Sequence, residues 1–395
     1  MEAYRDMIRE VLTYGTRKEN RTGVDTLSTF NYNYELAWDP GMLTTTPPKS
    51  YTVGPWSGEG QRIPLLTTKE ISWKNIVVEM LWFLSGNPTI EILKRHNCKF
   101  WDAWADEDGK VPMAYGEQWR RFPVHAHQNT DGTLFHISHS VHDSHRSDDQ
   151  GSFCGQDGRL SVDHGGEPSK CPSNWVLCPE CAAIWKKHHS DDPTPKGPPH
   201  QGPLKLQYND QIAYALKTLR ENPMSRRIVV SAWAPQQAQK AALPPCHMLF
   251  AFNVQNVDVG GGQTEPRLCL HLTQRSCDLA LGVPYNMASY SLLLLIFSHL
   301  TGIKPGIFAH TLLDLHIYTS KPDGSMAEYD HVPGLKGQLE RSSKALPVLT
   351  IDPNIKELSD IEALMGPDVP TQTILDAFNL EGYVPWPKIP FKVAV

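Results

Sequence analysis

Across residues 124–203 the chain loses all hydrophobic periodicity, and this break limits the fold more than any other feature of the sequence. His, Ser, Asp, Gly and Pro dominate the stretch, and His136, His139, His142 and His145 recur at every third position. Ten of the 17 histidines lie between His125 and His200, and Cys154, Cys171, Cys178 and Cys181 supply four of the eight cysteines. Such a segment cannot bury enough apolar surface to build an ordinary core alone. The flanking segments must supply the core. The whole chain is 395 residues, room for two or three average domains or for one large domain with insertions.

The flanks are patterned. Tyr4, Met7, Ile8, Val11 and Leu12 follow helical spacing, and Gly15 ends the run. A strand is expected over 26–36, then a long Pro/Gly/Thr/Ser-rich loop over 38–62. A helix is expected over 72–84, with Glu79 in its middle. Beyond the break, a helix is expected over 209–219 and strands over 227–233, 248–254 and 268–273. A buried helix over 288–300 and strands over 308–318 and 347–351 complete the pattern. Runs of strands without regular βαβ repeats give an α+β class.

Charge and targeting narrow the function. Lys+Arg is 37 against Asp+Glu 43, a net charge of −6, which argues against a general nucleic-acid binder while leaving room for a small anion held by local arginines. The start, Met1-Glu2-Ala3-Tyr4-Arg5-Asp6, does not read as a signal peptide, and the most apolar run, 292–297, is too short to span a bilayer. A soluble cytoplasmic protein is expected, in the host cytoplasm if the chain is viral. In that setting cysteines read as thiols or metal ligands before disulfides.

Three places carry candidate chemistry. Cys246 stands in Leu243-Pro244-Pro245-Cys246-His247. A lone cysteine is most often a small buried hydrophobe, but two prolines stiffen its approach, and nearby arginines offer the positive charge that a thiolate nucleophile needs. Arg226-Arg227 opens an apolar strand where a solvated pair is unnatural, and Gln274-Arg275-Ser276 sets another arginine beside a hydroxyl; guanidinium groups bind phosphate through paired hydrogen bonds. Asn286 lies in Gly282-Val283-Pro284-Tyr285-Asn286, ordinarily a turn setting, yet its amide offers a donor and an acceptor side by side, matching a uracil-type edge.

Together with other segments these form an ordered set: Arg21-Thr22-Gly23, Pro64-Leu65-Leu66-Thr67-Thr68-Lys69, Glu79-Met80-Leu81-Trp82-Phe83-Leu84, Trp101-Asp102-Ala103-Trp104-Ala105-Asp106, Tyr115-Gly116-Glu117-Gln118-Trp119-Arg120, Ser225-Arg226-Arg227, the Cys246 segment, Gln274-Arg275-Ser276-Cys277-Asp278 and Leu281-Gly282-Val283-Pro284-Tyr285-Asn286. The chain resembles the thymidylate synthase family over roughly 3–123 and 204–395, with Glu381-Gly382-Tyr383 and Val393-Ala394-Val395 fitting its end.

The resemblance implies the family fold, a mixed β-sheet packed with helices whose sheet face forms a homodimer interface. It implies dUMP as substrate and 5,10-methylenetetrahydrofolate as one-carbon donor. Cys246 is then the nucleophile toward C6, and Arg21, Arg226, Arg227, Arg275 and Ser276 the phosphate site, with Arg226 and Arg227 coming from the other subunit. Asn286 reads the pyrimidine, and His316 and Tyr318 contact the deoxyribose. Glu79 organises waters and proton transfers, and Tyr115 assists loss of the C5 proton. Trp101, Trp104, Asp278, Gly282 and Tyr285 form the folate side, with Trp101 and Asp278 also in the catalytic set, and Val395 belongs to a tail that closes over it.

The sequence departs from the family at Ala251-Phe252-Asn253, at Leu313-Asp314-Leu315, and after Tyr318, where Thr319-Ser320-Lys321 replaces Asn-His. Three outcomes stay open: reductive methylation to dTMP, a sister dUMP hydroxymethylase in which water attacks the same methylene, and an inactive binding module. Separately, Cys178-Pro179-Glu180-Cys181 is a CxxC knuckle. With Cys171 and Cys154 upstream and His188 and His189 downstream, it points to a structural zinc, most simply on Cys154, Cys171, Cys178 and Cys181.

Overall fold

The computed structural model describes residues 1–43, 49–54, 60–123, 126–128, 134–136, 208–235, 238, 241 and 243–394. The chain divides into two compact units, one of Met1–Phe122 with Asp210–Val395 and one of Pro123–Asn209.

In the first unit the longest alternating segments become one mixed sheet. Its strands are β1 (Thr16–Lys18), β2 (Asp25–Ala37), β3 (Lys49–Thr52), β9 (Val229–Ser231), β10 (His247–Gly260), β11 (Gln263–Gln274), β12 (Cys277–Asp278) and β13 (Lys304–Thr319). The order is β1-β2-β13-β11-β10-β9, with β3 beside β2 and β12 beside β13. β10 and β11 form an antiparallel hairpin closed by Gly260, Gly261 and Gly262 at φ 93°, 64° and 74°, a region that suits glycine. β11 runs parallel to β13, and β13 antiparallel to β2. A smaller sheet joins β4 (Gln61–Arg62), β14 (Val348–Ile351) and β15 (Phe378–Glu381). Mixed sheet and helices make the α+β class expected from the sequence, in the architecture of the thymidylate synthase-like fold.

Two helices build the core against this sheet. α2 (Trp73–Ser85) is capped by Ser72, whose Oγ accepts the Asn75 N–H at 3.3 Å, and stops at Gly86 with φ 66°. α6 (Gly282–Thr301) is apolar on every side and buried along nearly its whole length, as a helix inside a core must be. It packs on β11, β13 and α2. α4 (Tyr115–Arg120) lies so close to α2 that a Cβ on Gly116 would sit 2.6 Å from the Phe83 carbonyl oxygen. That approach fixes Tyr115 beside the face of α2 that carries Glu79. α1 (Glu2–Tyr14), α3 (Glu91–Arg95), α5 (Gln211–Glu221), α7 (Val332–Leu339), α8 (Leu358–Leu364) and α9 (Thr371–Ala377) complete the unit. Among the described residues no helix is long and apolar enough to cross a membrane.

Several expected bounds shift. The segment 38–62 is not one loop: it holds a 3-10 turn at Pro40–Met42 and strands β3 and β4. The 227–233 strand shrinks to three residues because only Val229–Ser231 meets β10. The buried helix starts six residues earlier than 288, at Gly282, because the Asp278 carboxylate takes the Ala280 and Leu281 N–H groups at 2.9 and 3.1 Å just ahead of it. In the second unit the described residues include a short antiparallel hairpin, β6 (Ala126–Gln128) with β7 (Leu134–His136); β5 (Phe122–Pro123) and β8 (Tyr208–Asn209) mark the two ends of that stretch.

Candidate active site

Cys246 ends the Pro-Pro approach and immediately precedes β10, so sheet and loop fix it from two sides. The backbone N–H groups of Cys246 and His247 both donate to Tyr115 Oη, at 2.9 and 3.2 Å. The Cys246 carbonyl accepts the Arg275 N–H at 2.8 Å. The Arg275 guanidinium holds the same loop from its other end: Nε donates to the Pro245 carbonyl at 2.9 Å and Nη2 to that of Pro244 at 2.6 Å. The two prolines expose these carbonyls by offering no N–H of their own. Burial pushes the Cys246 thiol up, while the charges of Arg275 and Arg21 pull it back down. Arg21 also acts electrostatically on Tyr318, so one cationic field spans all three residues.

Tyr115 is buried, and its ring stacks on His247 with centroids 4.7 Å apart and 14° between planes. Burial holds its hydroxyl far above the ordinary range. His247 is pushed down to about 4 by burial, partly offset by Asn286, so its ring is neutral near pH 7. Glu79, on α2, accepts the Trp101 indole N–H at 2.7 Å. Burial raises its carboxyl to about 7 against the pull of that bond. Trp101 packs edge-on to Tyr115 at 5.7 Å and to Phe83 at 5.9 Å, joining Glu79 and Tyr115 through one aromatic wall.

Asn286 sits one turn into α6. Its Oδ1 accepts from Gln274 Nε2 at 3.0 Å, and Gln274 Nε2 also donates to the Ser276 carbonyl at 3.0 Å. Gly282 lies beside the same amide: a Cβ there would sit 3.4 Å from Asn286 Oδ1. Asp278 pairs in register with His316, and the Leu279 N–H donates to the His316 carbonyl at 2.8 Å. His316 faces Tyr318 edge-on at 5.3 Å. Burial alone lowers its basicity, but Asp314 and Asp278 outweigh that and raise it. Asp314 in turn is held well below the usual carboxylate range: burial works the other way, but bonds from His316, Lys18 and Ser28 prevail.

On the far side, the Tyr285 hydroxyl accepts the Ser72 N–H at 3.3 Å, and its ring meets Phe100 at 5.0 Å. Trp104 lies one short turn after Trp101, to which it is bonded through the backbone at 3.0 Å. Arg226 and Arg227 are exposed just before β9; among the described residues no hydrogen bond joins them to the Cys246 cluster. Val395, Cys154, Cys171, Cys178 and Cys181 lie outside the described residues; among the described residues no group of three or more His, Cys, Asp or Glu side chains could hold a metal.

A thymidylate synthase family model matches residues 2–395. The chain belongs to the thymidylate synthase family. Membership supports one-carbon transfer to a pyrimidine C5, and family members bind dUMP and methylenetetrahydrofolate.

Within that family the structure adds residues that motif reading passed over. His331 follows the loop 320–330, donates its N–H to the Tyr318 carbonyl at 3.0 Å, and sets its ring 5.7 Å from that of Tyr318, so a histidine stands beside Tyr318 in space although none follows it directly in sequence. His331 Nε2 meets the Lys392 carbonyl at 2.9 Å, and its ring packs on Phe391 at 4.9 Å. Lys69 stands 4.7 Å from the Phe391 ring centroid and donates to the Ala280 carbonyl at 2.5 Å. The only signal for His331 was the gap at 319–321. Tyr34 and His310 carried none, since each reads as an ordinary strand residue.

Proposed function

We propose that this chain methylates dUMP at C5 reductively, giving dTMP, through a covalent bond between Cys246 and C6 of the pyrimidine. The catalytic domain is residues 1–123 with 204–395, and 124–203 is an inserted segment. The observation that carries the reading is the convergence on one loop: Tyr115 Oη receives the Cys246 and His247 N–H groups, while Arg275 clamps the two preceding carbonyls.

The Cys246 thiol, held up by burial and eased only in part by the Arg275 and Arg21 charges, gives its proton to a site water. Its sulfur adds to C6, and the electron pair of the C5–C6 double bond moves toward C5 and O4. Asn286 holds the pyrimidine edge and Arg21, Arg275 and Ser276 the 5′-phosphate, with Arg226 and Arg227 supplied by a second copy in a homodimer. Arg275 keeps Nη1 for this purpose once its other nitrogens hold the loop. His316 and Tyr318 bind the sugar hydroxyl. After the one-carbon unit joins C5, that carbon must lose its proton; Tyr115 positions the accepting water, and Glu79 carries protons because its carboxyl titrates near neutrality. The C5–C6 double bond re-forms as Cys246 leaves.

The donor set suits a folate. Trp101, Trp104 and Tyr285 offer flat apolar faces, with Gly282 between Asp278 and Asn286. Asp278 has Oδ1 taken by two backbone N–H groups, so Oδ2 is free to accept from a pterin N–H. Methylenetetrahydrofolate, when bound, supplies the one-carbon unit and the hydride. The packing of Phe391 and Lys392 on His331 supports a chain end that covers this side and excludes water, which favours hydride over water attack; the expected part of Val395 in that closure lies outside the described residues.

Tritium release from C5-labelled dUMP in the presence of methylenetetrahydrofolate tests the reaction, and Cys246→Ala should abolish it. Mass spectrometry of the nucleotide decides the product. Finding dTMP with dihydrofolate supports methylation; 5-hydroxymethyl-dUMP with tetrahydrofolate establishes the hydroxymethylase instead. Release of no tritium by the intact protein leaves the binding-module reading.

A further inference from the structure

Behind Asn286 runs a buried polar chain that the reaction itself does not require. Gln274 Oε1 meets His310 Nε2 at 3.1 Å, and His310 Nδ1 meets Tyr34 Oη at 2.9 Å. Tyr34, His310 and Gln274 are 0%, 1% and 2% exposed, so each polar atom must find its partner inside the protein.

The chemistry of one backbone carbonyl orders the whole chain. Ser276 O can only accept, so the end of Gln274 that faces it is the NH2 group. The second N–H of that group points at Asn286 Oδ1. Gln274 Oε1 is thereby turned toward His310 and needs a donor there, which is the Nε2–H of the ring. Burial holds that ring neutral, so Nδ1 carries no proton and accepts from the Tyr34 hydroxyl. At the other end, the Asn286 amide, which also acts on His247, offers its NH2 group and the open side of Oδ1 to a ligand. Uracil presents a carbonyl O4 beside an N3–H and fits that pattern. Cytosine presents an amino group beside a bare N3 and would need the amide reversed. Reversing it means reversing Gln274 against Ser276 O and changing the His310 tautomer against Tyr34.

We propose that Tyr34 and His310 are positioning residues for base choice: through Gln274 they lock the Asn286 amide in the orientation that accepts uracil and rejects cytosine. This rests on the reading of Asn286 as the pyrimidine contact.

Tyr34→Phe deletes one oxygen at the far end of the chain and leaves Asn286 untouched. The dissociation constants of dUMP and dCMP, measured by calorimetry, give the discrimination ratio. Loss of one neutral hydrogen bond should lower that ratio roughly fivefold. Gln274→Glu, whose carboxylate faces Ser276 O and Asn286 Oδ1 with no donor, should lower it by about a hundredfold. A general packing defect would weaken both nucleotides equally and leave the ratio unchanged, which overturns the proposal. The His310 tautomer, read in the unmodified protein by ring 15N shifts, is expected as Nε2–H, and Nδ1–H also overturns it. If the unmodified protein releases no tritium from C5-labelled dUMP, the catalytic reading fails; if it does and Tyr34→Phe keeps the full ratio, the relay alone fails.

Discussion

Glu79→Gln separates catalysis from stability in one residue. In the folded protein the Glu79 carboxyl is raised by burial from an ordinary 4.5 to about 7. A group with a raised carboxyl holds its proton in the folded state after the unfolded chain has released it. Stability is therefore full below about pH 4.5 and declines as pH rises through about 7, after which the loss is constant. At about 1.4 kcal/mol per pH unit the loss has a ceiling of roughly 3 kcal/mol, and partial exposure of the side chain reduces it to about 1–2 kcal/mol. Glutamine keeps an acceptor for the Trp101 N–H, now 2.7 Å from Glu79 Oε1, and cannot ionise. Urea unfolding should show the variant level with the parent near pH 4.5 and about 1–2 kcal/mol more stable at pH 8. Tritium release should fall at least a hundredfold across the whole range, and the parent profile should bend near pH 7 where the variant's does not. A variant no more stable at pH 8 than at pH 4.5, relative to the parent, would refute the burial argument; a variant retaining full tritium release would refute the proton-carrying role.

Other consequences are simpler to read. Cys246→Ala should bind dUMP within a few-fold of the parent while forming no covalent adduct on denaturing mass spectrometry. A Cβ at Gly334 would lie 2.6 Å from Phe391 Cε1, so Gly334→Ala should lift the tail and raise KM for methylenetetrahydrofolate roughly tenfold with dUMP binding unchanged. Asp314→Asn removes a carboxylate held well below its ordinary range by His316, Lys18 and Ser28, so it should destabilise at pH 7, and the difference should begin to shrink only below the normal carboxylate range, vanishing once pH passes the depressed folded value; urea midpoints should differ most at pH 7 and by less, but still measurably, at pH 3. Metal analysis of the full chain should find stoichiometric zinc that Cys178→Ser removes, and its absence ends the expectation for the inserted segment.

What the sequence could and could not convey follows from how far each signal reaches. The helix around Glu79 was legible because Ser72, the apolar run from Ile76 to Leu84 and Gly86 lie within one local window. Short helices such as α4 were missed because six residues give a period no room to repeat. Tyr115 and Cys246 were each named, yet the bond between them spans 131 residues, and nothing local records that a phenol will receive two amides so far along the chain. The same limit governs the Tyr34, His310 and Gln274 chain. Tyr34 and His310 lie on neighbouring strands at a paired register, so their meeting is a product of sheet topology alone. His331 makes the point from the other direction. No histidine follows Tyr318 directly in sequence, but after the loop 320–330 a backbone bond to the Tyr318 carbonyl brings His331 beside it. Sequence departures at a site are therefore tested by where the chain returns, because β-pairing and long-range hydrogen bonds can rebuild in space what an insertion separates along the chain.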